Sequence, residues 1–144
     1  MSGLVAGSGC QDSISDRDIE TVPLAEVRQL QTKGGTIALV DPRSPGEFAN
    51  GRIPGAMNLT LPDVPDVKDS LDPRLANYKT IVVYGNDPGS GVARAMTKRL
   101  MRAGAKNVRL FSGGIAEWSG NGMTIEKDPA VKAAPASTPP GTSK

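Results

Sequence analysis

Residues 80–104, TIVVYGNDPGSGVARAMTKRLMRAG, decide the fold of this 144-residue chain. The β-branched run Ile81-Val82-Val83-Tyr84 stops at Gly85, a loop of Gly, Pro, Asn and Asp follows, and helical periodicity then sets in. This is strand, loop and helix. In the helix Val92, Ala93, Met96, Leu100 and Met101 form one apolar face, Arg94, Lys98, Arg99 and Arg102 point elsewhere, and Gly104 suits the C-terminus. In an open α/β sheet, a loop between the carboxyl end of a strand and a helix N-terminus is the usual place for a ligand or a nucleophile. Gly85, Asn86, Asp87, Pro88, Gly89, Ser90, Gly91 and Val92 are therefore the first candidates for a functional site.

Working outward, residues 19–22 read as a short strand and Pro23 as the opening of a helix in which Leu24, Val27 and Leu30 recur at helical spacing. Lys33-Gly34-Gly35 stops that helix, and the apolar run TIALV at 36–40 has the length of a strand covered on both faces. It ends at Asp41-Pro42-Arg43. Ser44, Pro45 and Glu47 then stand as N-cap, first helical residue and capping-box acid of a helix running to about Asn50. Residues 51–59 read as a turn entering a short strand, 61–70 as loop or a broken helical turn, and Asp72-Pro73 as the start of a short helix to Asn77. Beyond the central unit, residues 108–111 form a last strand, Gly113-Gly114 a turn, and residues 115–119 a helix that buries Trp118. Strands alternating with helices predict a parallel sheet of about five strands with helices on both faces.

Composition narrows the function. Seventeen basic and 15 acidic residues give a net charge of +2 with no basic stripe, and aromatics are scarce, so nothing marks a nucleic-acid partner. The chain has no histidine, which removes Ser-His and Cys-His nucleophiles and His-ligated zinc; no metal or cofactor is expected. No apolar run is long enough to span a membrane. The expected organisation is a flexible arm at 1–17, one domain at 18–127 and a disordered tail at 128–144. The start, MSGLVAGSGCQDS, is similar to the end of a bacterial lipoprotein signal, in which Cys10 would be the lipidated residue; an unstructured arm with an incidental thiol is the alternative. Localisation follows that choice, envelope-associated with a lipid anchor and cytoplasmic without one.

Four segments together resemble the rhodanese-like family, in order and spacing over roughly residues 20–125. They are Val40-Asp41-Pro42-Arg43 with Glu47-Phe48, then Gly51-Arg52-Ile53-Pro54-Gly55-Ala56-Met57-Asn58, then Ile81-Val82-Val83-Tyr84, and Val108 to Trp118 with Gly113-Gly114. The resemblance implies a five-stranded parallel sheet with helices on both sides. Active members carry a cysteine directly after the strand, heading a loop whose N–H groups cup an anion. Carried over, that position is Gly85, which has no side chain to hold a persulfide. The loop is also about two residues longer than is usual for the family, and the family's arginine near its end has no clear counterpart, Arg94 already being helical. Arg52 stands where the family has histidine and reads as a solvent-facing substitution.

The loop glycines at 85, 89 and 91, with Ser90, still offer backbone N–H groups at a helix N-terminus, a setting for phosphate, sulfate or a carboxylate, although Asp87 at the mouth repels anions. Three functions follow as expectations. One is a catalytically inactive rhodanese-like domain that binds a protein partner or a small anion. Another is an enzyme using the same loop, either a sulfurtransferase with a cysteine from a partner or a phosphatase-like hydrolase, in which Asp41, Asp87 and Ser90 would matter; Asp41, Arg43 and Arg94 are the candidates flanking the loop. The third is a lipid-anchored envelope scaffold held through Cys10.

Overall fold

The computed structural model describes residues 13–33 and 37–129. Five strands build one sheet: β1 (Glu20–Thr21), β2 (Ile37–Asp41), β3 (Met57–Asn58), β4 (Thr80–Tyr84) and β5 (Val108–Phe111). Their order is β1-β5-β4-β2-β3, and every neighbouring pair is parallel. The central strands β2 and β4 carry continuous apolar runs because both their faces are covered.

Period-two alternation sends β4 into two cores. Ile81 and Val83 pack with Val108, Leu110 and the apolar face of α3 (Gly91–Arg102), namely Ala93, Met96 and Leu100. Val82 and Tyr84 pack on the other face with Val27 of α1 (Leu24–Thr32) and Trp118 of α4 (Gly114–Gly120). The sheet is therefore sandwiched between helices, the architecture expected for the family.

Local chemistry sets the remaining boundaries. Ser44 caps α2 (Pro45–Asn50) by accepting the Glu47 N–H at 3.2 Å, and the Glu47 carboxylate accepts the Ser44 hydroxyl at 3.0 Å. Ala103 ends α3, and Gly104 follows with φ +107, a conformation that glycine tolerates. The helix expected over 72–77 is instead a series of turns, with bonds from Leu75 N to Asp72 O and from Ala76 N to Pro73 O. Asp72 behaves as a cap, but its carboxylate accepts the Arg74 amide and guanidinium, and so short a segment does not repay helix nucleation.

Contacts reach a few residues beyond 18–127 on both sides. Ser15 caps a 3-10 turn at Asp16–Asp18, and Asp16 pairs with Lys98 at 2.6 Å. At the other end the Asp128 amide donates to Ala49 O. Cys10, most of the expected arm and residues 130–144 of the expected tail lie outside the described residues.

Candidate functional site

The loop from Gly85 to Ser90 lies at the carboxyl edge of the sheet, between β4 and α3. Gly85 is buried, and a Cβ placed on it would come within 2.6 Å of Ser90 Cβ and 3.0 Å of Ala93 Cβ, with Ser90 Oγ closer still. Ser90 sits there because it caps α3, its hydroxyl accepting the Ala93 N–H at 3.2 Å. The chain leaving β4 is also clamped from the far side. Gly85 O and Asn86 O accept the Ile115 and Ala116 amides, both at 2.9 Å. Gly114 makes this approach possible: its φ is +65 and a Cβ there would lie 2.5 Å from Gly85 O.

Further along, the loop satisfies much of its own backbone. Asp87 Oδ1 accepts the Gly89 amide at 2.9 Å, and Asp87 O accepts the Ser90 amide at 3.0 Å. Arg94, though on the helix, reaches back and donates to Pro88 O at 3.0 Å and Gly89 O at 3.3 Å. It also lies 3.6 Å from Asp16. Of the donors that a cradle would present, the amides of Gly89, Ser90 and Ala93 are therefore turned inward. Those of Gly91 and Val92, at the first turn of α3, lie among the helix's orphan donors.

Beneath the loop sits a buried charge network. Asp41 is fully buried and Arg43 is 7% exposed. Arg43 donates through Nε and Nη2 to the Asp41 carboxylate, Nη2 at 2.7 Å, while its own amide donates to Oδ1 and fixes the turn after β2. Nη2 also reaches Gly51 O at 2.6 Å, and Nη1 reaches Asn86 Oδ1 at 3.3 Å. Burial alone would lower the Arg43 value, but the hydrogen bonds and charge of Asp41 outweigh it and leave it raised. Tyr84 accepts the Ile53 amide at 3.0 Å, and burial, with the Asp41 carboxylate beside it, pushes its phenol above the ordinary range. At the mouth Asn86 donates to Glu47 at 3.2 Å, and this bond, followed by that from Ser44, holds the Glu47 carboxyl below its ordinary value.

Asp41, Arg43, Asn86 and Glu47 thus form one chain of contacts leading to the loop. Asp87 and Ser90 are committed to turn and cap, and the described residues hold no group of three or more histidine, cysteine or acidic side chains able to bind a metal. Arg52 is not solvent-facing, contrary to the sequence expectation. Its guanidinium lies 4.5 Å from the Phe48 ring centroid, and it pairs with Glu126 at 3.4 Å and Asp128 at 2.9 Å. Those acids stand more than 70 positions away, so local sequence gave no sign of them. The Ser90 contact at Gly85 arises only when the loop turns back into α3, and the Gly114 contact comes from a separate helix, although the Gly113-Gly114 doublet is a usable signal of close backbone approach.

The rhodanese-like domain family model matches residues 23–121. No curated protein matches significantly. Among solved structures, a Rhodopseudomonas palustris protein of unknown function, described as a possible tyrosine phosphatase, is 25% identical with a TM-score of 0.61 over 88% of this chain and 98% of that one. A thiosulfate sulfurtransferase from Pseudomonas aeruginosa is 27% identical with a TM-score of 0.63, over 76% of this chain but only 20% of that one. The rhodanese-like domain of an Anabaena protein, at 22% identity and a TM-score of 0.60 over 86% of this chain and 87% of that one, shares the fold.

Proposed function

Because the chain belongs to the rhodanese-like domain family, we propose that it is a member without sulfur transfer, its fold kept as a binding module for a protein partner or a small anion. One observation carries this reading. At Gly85, the position that the resemblance aligns with the persulfide cysteine of active relatives, the volume a side chain would need is filled by Ser90 and Ala93. A thiolate is the group that accepts and passes on the sulfur atom, and no other described side chain at the loop supplies one.

The alternative enzyme readings gain little support from the geometry. Ser90 Oγ caps α3 with no base beside it, and Asp87 Oδ1 closes a turn on Gly89. Asp41 is already paired with Arg43 and buried, so it offers no second acid to a phosphoryl-transfer site. One similar structure is described as a possible tyrosine phosphatase, and the phosphatase-like alternative rests on that likeness rather than on a nucleophile among the described loop residues. A lipid anchor at Cys10 is compatible with a binding role and is tested separately, by intact mass of protein made with its native leader.

Incubation with thiosulfate and cyanide is expected to give no thiocyanate above a protein-free blank; turnover would overturn the reading. For the anion arm, an isotope-labelled sample titrated with sulfate, phosphate and thiosulfate is expected to shift the Gly91 and Val92 amides before those of Gly89 and Ser90. Unmoved loop amides would leave a protein partner as the ligand class of this site.

A further inference from the structure

At the opposite edge of the sheet from the loop, where β4 and β5 begin, lies a cavity of about 310 Å³. Its apolar side is made by Leu71, Leu75 and Ile81, the last two 1% and 3% exposed. Tyr78, Lys79, Lys106 and Asn107 are its polar lining residues, Asn107 donating to Thr80 Oγ1 at 3.0 Å, and no carboxylate lines it. Among the described residues neither ammonium group nor the Tyr78 hydroxyl has a hydrogen-bond or ion-pair partner. Beside the cavity along α3, by contrast, the cations are paired: Lys98 and Arg94 hold Asp16, and Arg102 holds Asp66. The cavity below β4 is lined by two lysines and no acid, the Asp69 carboxylate lying beside its lining residue Gly104.

We propose that this cavity binds a small amphiphilic carboxylate, its apolar body against Leu71, Leu75 and Ile81 and its carboxylate between Lys79 and Lys106. The volume lies at the lower end of small-molecule sites, which combine an apolar lining with a few convergent polar groups. Ammonium-to-carboxylate hydrogen bonds are charge-assisted, so the acid is preferred over a neutral molecule of the same shape. The apolar wall makes the same site a poor one for an anion without a body.

The test is an amide-shift titration of the full chain with octanoate, with octanol and inorganic phosphate as comparators. Octanoate is expected to give saturable shifts at Tyr78, Lys79, Ile81, Ala105 and Lys106 while the amides of residues 85–92 stay in place. Binding to the Lys79→Gln/Lys106→Gln double variant is expected to be about tenfold weaker or worse. Both lysines are exposed, so the variant is expected to keep its fold, which its amide dispersion reports directly. Absence of saturable shifts in this region, equal binding of octanol, phosphate matching octanoate, or an unchanged affinity in the double variant would each overturn the proposal. The loop amides are read in the same spectra, so failure here is distinguishable from failure of the anion reading at Gly85.

Discussion

At Gly85 the decisive atoms belong to another residue. A Cβ there meets Ser90 Cβ at 2.6 Å, and Ser90 cannot simply withdraw because its hydroxyl caps α3. Gly85→Ala is therefore expected to cost about 1–3 kcal/mol by overpacking. Ser90→Gly alone should cost only a few tenths, about what serine-to-glycine changes cost at an N-cap. Because it also removes the clashing atoms, the double variant is expected to be more stable than Gly85→Ala alone. Urea denaturation of the four proteins in the cycle checks this, and simple additivity would show that the two side chains do not compete for one space. Gly85→Cys meets the same obstruction, so placing a thiol at that position is expected to give no thiocyanate from thiosulfate and cyanide. The sequence revealed that Gly85 ends the strand and opens the loop. It could not reveal why a side chain is excluded, since Ser90 turns back onto Gly85 only once α3 has formed, and Gly114 approaches from another helix.

At the scale of elements, long uniform signals were legible and isolated contacts were not. Within the runs expected at 36–40 and 80–84, residues 37–40 and 80–84 lie in β2 and β4, because continuous burial on two faces leaves a pattern in the sequence itself. The cap of α2 was legible because its partners lie within three residues. The expected helix at 72–77 misled because a sound N-cap says nothing about whether enough turns follow to repay nucleation. Arg52 is the clearest case of a long-range role. Its backbone bonds Glu126 in both directions at 2.9 Å, and its side chain holds Glu126 and Asp128 while stacking on Phe48. Ion pairs to half-exposed acids contribute modestly and the stacking somewhat more, so Arg52→Ala is expected to cost about 1–2 kcal/mol. Hydrogen exchange should speed up at Arg52 and Glu126 and stay unchanged at β4; uniform acceleration would argue that Arg52 stabilises the whole domain. Arg43 is expected to behave differently. Its removal leaves the Asp41 carboxylate buried without its partner and frees Gly51 O and Asn86 from their tie to β2. Loss of about 3–5 kcal/mol is expected for Arg43→Ala by thermal or urea unfolding. A loss below about 1 kcal/mol would mean that water replaces the guanidinium at Asp41.

Over the whole molecule, the same inventory that excludes histidine chemistry also sets the pH response. With no histidine, no side chain has its unperturbed titration in the range from about pH 5.5 to about 8. The groups with displaced carboxyl values all move downward: Asp16 through the hydrogen bond from Lys98, Asp18 and Asp63 through their cap amides, Asp72 through Arg74 and Glu47 through Asn86. A carboxyl that is more acidic in the folded chain contributes its stability above its unfolded value and loses it as the pH falls through the folded one. The ordinary values are 3.8 for aspartate and 4.5 for Glu47, so the loss begins as pH drops toward 4.5 and continues below 3.8. All of these carboxylates except Asp72 are solvent-exposed, so screening keeps their contributions small and the decline gradual, and added salt should flatten it. Tyr84 is displaced upward by burial, so the folded phenol resists ionisation where the unfolded one would lose its proton, and stability is expected to fall again as pH rises through its ordinary value of 10.0. Melting temperatures measured from about pH 3 to about pH 11 should trace a plateau with two shoulders. Tyr84→Phe should remove the tyrosine's part of the alkaline shoulder while losing the Ile53 amide's acceptor. A slope across the middle of the plateau would overturn this two-shoulder profile.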